Sequence, residues 1–298
     1  MIWLNGTFST TNAKTNTKSD TKSDTKSDSD NVGLAVSDRG FLLGDGAFET
    51  LLALGDRIQY FERHWQRLTA GLEVLEIPLT YTAEEISRAA ATLLAEARLL
   101  EDVATAGATQ RYILRLSVSR GTGGRGLDMP VAEDNIPPSW LLTLAKAALP
   151  PVEIALLTAD IVRHSSNVTS RIKALSYLDN VLARRQARQA GAEEALMLNE
   201  HGRVACAAAA NLFIHDGTHW LTPPVSEGAL PGITRQILLE NDRDGLFREA
   251  RVTAESCAQA AALFICNSLI GVVPVTMLNG VRKEKSPAMQ AISKLLTP

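Results

Sequence analysis

The scarcities of this sequence narrow its possibilities first. Among 298 residues there are three cysteines, Cys206, Cys257 and Cys266, and none is spaced CxxC from another. An odd, sparse set of that kind argues against a disulfide framework or a zinc site and for a reducing compartment. The net charge of −3 gives no global basic field, which speaks against nucleic acid as a partner. The longest apolar runs, 205–210 and 258–266, fall far short of a bilayer span, so no membrane partner is expected. The segment 1–6 has neither a basic region nor an apolar one. Secretion is therefore not signalled, and a cytoplasmic location is expected. Lysine is scarce where it would be ordinary: residues 31–282 contain only Lys146 and Lys173, with arginine supplying the rest of the basic surface. A lysine in an arginine-favouring stretch fits a plain solvated charge. It also fits a chemistry closed to arginine, because a desolvated amine can lose its proton and condense with an aldehyde.

What is present reads as a mixed α+β chain. Ile2-Trp3-Leu4 is a short strand closed by Asn5-Gly6. Residues 9–31 contain Thr-Lys-Ser-Asp three times and a single apolar residue, Ala13, and are expected to form a disordered, solvated insertion that interrupts a hairpin resuming at Leu34. Gly44-Asp45-Gly46 marks a tight backbone before a strand. A helix is expected from His64 through Leu75, and a second from Ala83 to Leu100 with Ile86, Ala90, Leu93 and Leu94 on one face. Residues 111–118 alternate with period two, as a strand does, and lead into a loop carrying Arg120 and Arg125. A proline-containing break near 147–151 divides a smaller domain, 1–146, from a larger strand-rich domain, 151–298. In the second, a helix is expected over 177–190, and strands around 154–158, 195–198, 211–214, 220–222 and 263–268.

Two constellations carry chemistry. Leu230-Pro231-Gly232-Ile233-Thr234-Arg235 puts Pro-Gly before a helix start, where free N–H groups and the Thr234 hydroxyl suit a phosphate, although most helix starts hold only water. Arg67 could add a charged fork, or be a surface arginine. Phosphate chemistry beside one unusual lysine suggests pyridoxal phosphate.

Motif order sharpens that suggestion. Gly44-Asp45-Gly46-Ala47-Phe48-Glu49-Thr50, His64-Trp65-Gln66-Arg67-Leu68, Lys173-Ala174-Leu175-Ser176-Tyr177-Leu178, Ala210-Asn211-Leu212-Phe213, Leu230 to Arg235 as above, and Asn267-Ser268-Leu269 followed by Pro274-Val275 occur in one series. The series resembles the fold-type IV pyridoxal-phosphate enzymes, a two-domain group that includes branched-chain aminotransferases, D-amino-acid aminotransferases and 4-amino-4-deoxychorismate lyases. The resemblance implies that Lys173 bonds the cofactor aldehyde and moves protons. It implies that Arg67, Ile233, Thr234 and Ser268 hold the phosphate and that Leu230 packs on the ring. Tyr177 matches a cofactor-contacting tyrosine only with a one-residue shift. A homodimer acting on a small-molecule amine is also implied. Within the group, Ser119-Arg120-Gly121-Thr122-Gly123-Gly124-Arg125-Gly126 and Cys266-Asn267-Ser268-Leu269 look most like the lyase. Arg120, Arg125 and Arg163 are then candidates for the substrate carboxylates, each with a structural role as the alternative. One departure stands out. The position of the glutamate that bonds the pyridine nitrogen is Cys206, in Val204-Ala205-Cys206-Ala207. A thiol is a weak partner for that nitrogen, which disfavours full transamination more than an elimination that aromatises its product. It fits a lyase or a degenerate enzyme, and an aminotransferase remains the alternative reaction. Ser176, where many members carry asparagine, is a milder departure.

Overall fold

Asn5 (φ 46°) and Gly6 (φ 90°) take the left-handed backbone that a two-residue hairpin needs. They join β1 (Ile2–Leu4) to β2 (Thr7–Ser9) as antiparallel neighbours. The computed structural model describes residues 2–9, 33–99, 110–123, 126–129 and 136–296. Almost all of the expected insertion therefore lies outside the described residues, and Ser9 belongs to β2. No strand resumes at Leu34: residues 34–36 are exposed, and the hairpin is already complete before the insertion. Asp38, fully buried, starts the next element instead. One of its oxygens caps α1 (Arg39–Leu43) by accepting from Gly40 N, and the other accepts the Ser119 and Ser139 hydroxyls.

The chain divides into two compact units, Met1–Ala147 and Ala148–Pro298. Unit 1 continues with β3 (Gly46–Leu54), β4 (Arg57–Ile58), α2 (Phe61–Val74), α3 (Ala83–Leu99), β5 (Arg111–Ser119) and β6 (Ser139–Lys146). Its six strands pair in the order β2-β1-β6-β5-β3-β4, every pairing antiparallel. Period two in the sequence becomes one buried face: Tyr112, Leu114, Leu116 and Val118 of β5 point inward. The helices answer with stripes of period 3–4, Leu68 and Leu72 on α2 and Ile86, Ala90, Leu93 and Leu94 on α3. Each leucine, isoleucine or valine among them contributes about 1.5–3 kcal/mol on burial. Thr82 and Glu85 set the start of α3 with a reciprocal capping box, Thr82 N donating to Glu85 Oε2 at 2.7 Å and Glu85 N to Thr82 Oγ1 at 3.2 Å.

Unit 2 runs β7 (Ile154–Thr158), α4 (Val168–Arg171), α5 (Leu178–Gln189), β8 (Glu194–Leu198), β9 (Val204–Ala207), β10 (Asn211–His215), β11 (Trp220–Thr222), a 3₁₀ turn (Val225–Glu227), α6 (Ile233–Glu240), β12 (Phe247–Glu249), α7 (Ala254–Gln259), β13 (Ala262–Asn267), β14 (Gly271–Leu278), β15 (Val281–Arg282) and α8 (Met289–Lys294). The sheet order is β12-β11-β10-β13-β14-β7-β8-β9, with β15 beside β14. The β14–β7, β7–β8 and β11–β12 pairs are parallel, so this sheet is mixed. Ala183 and Ala187 of α5 pack against Ala195 and Met197, small residues that let the helix lie close to the strands. Phe213, Phe264, Leu238 and Ile292 form a separate cluster. The helix expected from residue 177 begins at Leu178, after Tyr177 as its N-cap. β12, α7 and α8 were not expected: at three and six residues they are too short to show a period.

Candidate active site

In unit 1, β3 turns Glu49 toward the same face as Ala47 and Leu51, and α2 places His64 and Arg67 one turn apart over it. Arg67 grips Glu49 as a fork: Nε donates to Oε1 at 2.7 Å and Nη2 to Oε2 at 2.7 Å. His64 Nδ1 lies 2.7 Å from Oε2. The carboxylate only accepts, so the ring hydrogen points toward it. Burial alone pushes the Glu49 carboxyl up. The Arg67 charge and the hydrogen bonds from Arg67 and His64 outweigh that and hold it at about 2. Arg67 is thus a cation of fixed orientation rather than a mobile surface arginine.

Arg120 is anchored just as firmly. Its Nε donates to Asp45 Oδ2 at 2.8 Å and its Nη2 to Asp45 Oδ1 at 3.1 Å, while the Leu75 and Glu76 carbonyls take Nη2 and Nη1. Arg39 donates to the same carboxylate at 2.9 Å. Burial raises the Asp45 carboxyl, but the two guanidiniums together hold it below the usual range. Arg120 thereby pins the 75–76 turn to the Gly44-Asp45-Gly46 corner, the structural role that stood as its alternative. Arg125 lies outside the described residues. Arg115, which sequence reasoning passed over, sits 3.8 Å over the Phe48 ring on the sheet face opposite Glu49.

In unit 2, Lys173 occupies the short turn between α4 and α5, half-buried, with its Nζ 4.9 Å from the Tyr177 ring centre. That contact comes from the turn itself, whatever the alignment shift. Cys206 is buried in the middle of β9, across from Met197 of β8. Desolvation pushes its thiol up, Arg163 and Lys173 draw it back in part, and Glu194 adds to the rise, so it stays protonated at neutral pH. Burial lifts the Glu194 carboxyl as well. Cys257 and Cys266 are pushed up to about 12. None of the three is a reactive thiolate.

The phosphate-type loop is built around Asn211, whose place in a motif was visible but whose task was not. Its Nδ2 donates to Leu230 O at 2.9 Å. Its Oδ1 lies 1.9 Å from where a β-carbon on residue 232 would stand, so only glycine fits there. Gly232 caps α6 without a side-chain bond, and Ile233 and Thr234 are buried in the first turn. Asn211 also pairs with Cys266 on β13, two residues before Ser268. The register therefore brings Leu230, Ile233, Thr234 and Ser268 to one end of the unit 2 sheet. Arg163, expected at a substrate carboxylate, is buried and directs Nε to Gly228 O, Nη2 to Ser170 O and Nη1 to Asn180 Oδ1. These are protein acceptors, again the structural alternative.

The model of the amino-transferase class IV family matches residues 46–278, most of both units. The chain belongs to the amino-transferase class IV family. Its relatives span several reactions. The aminodeoxychorismate lyase of Bacillus subtilis is 28% identical over 270 residues, 88% of each chain. A D-alanine aminotransferase of Listeria monocytogenes is 27% identical over 255 residues, 83% of each. The crystal structure of the Escherichia coli branched-chain amino acid aminotransferase superposes with a TM-score of 0.81 at 20% identity, covering 98% of this chain and 92% of that one, a likeness of fold. Class IV membership makes the chain an α+β, fold-type IV enzyme that uses pyridoxal phosphate. The residues fit that group. Gly232 lets the loop backbone pack against Asn211, the α6 start offers N–H groups with no side-chain cap, and a half-buried lysine stands in the same unit. Among the described residues no cluster could hold a metal ion, and no helix is long and apolar enough to cross a membrane.

Proposed function

We propose that this class IV enzyme is a 4-amino-4-deoxychorismate lyase, releasing pyruvate and 4-aminobenzoate. The observation that carries the reading is Cys206, a buried thiol that burial keeps protonated, at the position where the resemblance to the family places a glutamate. When bound, pyridoxal phosphate supplies an aldehyde for the substrate amine and a ring that withdraws electrons from the adjoining carbon. A neutral thiol does little to keep the ring nitrogen protonated, so the withdrawal is weak. Elimination that ends in an aromatic ring needs less of it than full transamination does. Lys173 takes the proton from the substrate ring carbon that bears the amine, as general base. The C–O bond to the enolpyruvyl group then breaks, and protonation of the departing enolpyruvate gives pyruvate. Residues 230–234 and Ser268 would hold the phosphate group and Leu230 would pack against the ring, while Arg67, matched to a phosphate position by the resemblance alone, is committed to Glu49. The relative from Bacillus subtilis supports the lyase at the level of similarity.

The test is a spectrum after adding pyridoxal phosphate, followed by pyruvate detection from the chorismate-derived amine. Absence of pyruvate together with keto-acid-dependent transamination would assign an aminotransferase, the reading favoured by the Listeria relative. A protein inactive in both assays that gains activity as Cys206→Glu would be a degenerate member. A cytoplasmic homodimer is part of the proposal. Val36, Phe41, Leu42, Leu127 and Met129 are exposed, and Arg39 ties the two segments that bear them by donating to Gly126 O and Asp128 O. A patch of this kind suits burial against a second copy. Sedimentation of Phe41→Glu as a monomer would support it, and sedimentation of the native chain as a monomer would remove it.

A further inference from the structure

Arg163 follows β7, and its backbone N donates to Leu198 O at 2.9 Å, fixing it beside the end of β8. Its guanidinium reaches three segments, two flanking Lys173 and one 65 residues away. Nε donates to Gly228 O at 2.7 Å, Nη2 to Ser170 O at 2.7 Å and Nη1 to Asn180 Oδ1 at 3.3 Å. Ser170 lies three residues before Lys173, Asn180 seven residues after it, and Gly228 two residues before Leu230. Secondary contacts tighten the same knot. Ser170 Oγ donates to His164 O at 2.8 Å, and Asn180 Nδ2 donates at 2.7 Å to the carbonyl of Ala208, two residues past Cys206. Gly228 sits at φ +92°, with the Ser165 Cα 3.3 Å from any β-carbon placed there, so the loop lies flat on the Arg163 segment.

We infer that Arg163 is a positioning residue, which holds both flanks of Lys173 and the 228–234 loop in one register so that the amine meets a cofactor whose phosphate that loop binds. The inference rests on the cofactor sites proposed above and not on which reaction follows. Only a guanidinium can do this: its planar fork serves three acceptors at fixed angles, whereas a lysine ammonium on a flexible stem would keep the charge and lose the span. None of the three acceptors is a carboxylate, so the positive charge is not neutralised at its own bonds. That charge offsets part of the rise that burial gives the Cys206 thiol.

Arg163→Lys and Arg163→Gln in the full-length holoenzyme test this, with hydrogen exchange and cofactor dissociation measured beside activity. The expected result is a rise in exchange of about tenfold or more in peptides covering 168–180 and 228–238 together, with peptides from 46–54 unchanged. The cofactor dissociation constant rises about tenfold, and kcat falls more than KM rises. If Arg163→Gln fails to fold, Arg163→Lys alone gives the reading. Exchange that rises in one peptide only, or in neither, overturns the inference. So does a variant whose substrate KM rises while exchange and cofactor affinity stay within twofold, since that is the signature of direct substrate binding. Absence of pyruvate release by the native enzyme would end the lyase reading and leave these measurements intact.

Discussion

In unit 1, Arg67, Arg39 and Arg120 each lie against a buried or half-buried carboxylate; in unit 2, the arginine that bonds the Lys173 segment lies against two carbonyls and an amide. The difference has physical consequences. A carboxylate neutralises the charge it orients, so Glu49 and Arg67 form a pair that depends on Glu49 remaining ionised. Removing one partner leaves the other charge buried, which is costly. Carbonyl oxygens do not titrate, so Arg163 keeps its geometry across pH and leaves its charge to act on Cys206. Orientation by ion pair and orientation by carbonyl thus answer differently to acid, to mutation and to thiol reagents.

The largest expected effect breaks unit 2 chemistry and leaves unit 1 intact. Lys173→Ala is expected to lower turnover by about 10³-fold or more and to remove the visible band formed with pyridoxal phosphate, with little change in unfolding midpoint. Turnover within tenfold of native would remove Lys173 from its role. Next is Glu49→Gln, expected to destabilise by about 3–5 kcal/mol in urea titrations, because the Arg67 charge is left buried without its counter-charge. A change under about 1 kcal/mol would mean that the pair contributes nothing net. The same pair sets an acid limit. Glu49 is depressed in the folded state, from an ordinary 4.5 to about 2, so its contribution is complete above about pH 4.5 and is lost as pH falls toward 2. That loss is on the order of 3 kcal/mol, and urea midpoints measured over this range should flatten in Glu49→Gln. Gly232→Ala is smaller, about 1–3 kcal/mol, since the new methyl meets Asn211 Oδ1 and displaces the bond to Leu230 O. Cofactor affinity is expected to weaken along with it. The smallest effect concerns the thiols: native protein at pH 8 should show no labelling by a thiol reagent over minutes, and full labelling of all three in denaturant.

Much of the fold was legible because long elements repeat their period. β5 alternates over nine residues and α3 keeps an apolar stripe over seventeen, whereas β12 and α8 are too brief to repeat anything. Lys173, Gly232 and Thr234 were legible as candidates because residue type narrows their chemistry. The partners were not. Glu49 showed a faint signal, a charge on the same strand face as Ala47 and Leu51, with His64 and Arg67 spaced for one helix face. Arg163 and Arg120 showed none, since an arginine in a loop looks the same whether it meets a ligand, a carboxylate or a carbonyl.

By itself, the sequence determined the family and singled out Lys173 and Cys206 as candidates, because these reside in residue identity and order. The tertiary structure decided what each arginine holds. A guanidinium reaches several ångströms and takes any acceptor within reach, and which acceptors lie there depends on strands and loops far off in the chain, 75 residues away for Arg120 and Asp45 and 89 for Arg39 and Asp128.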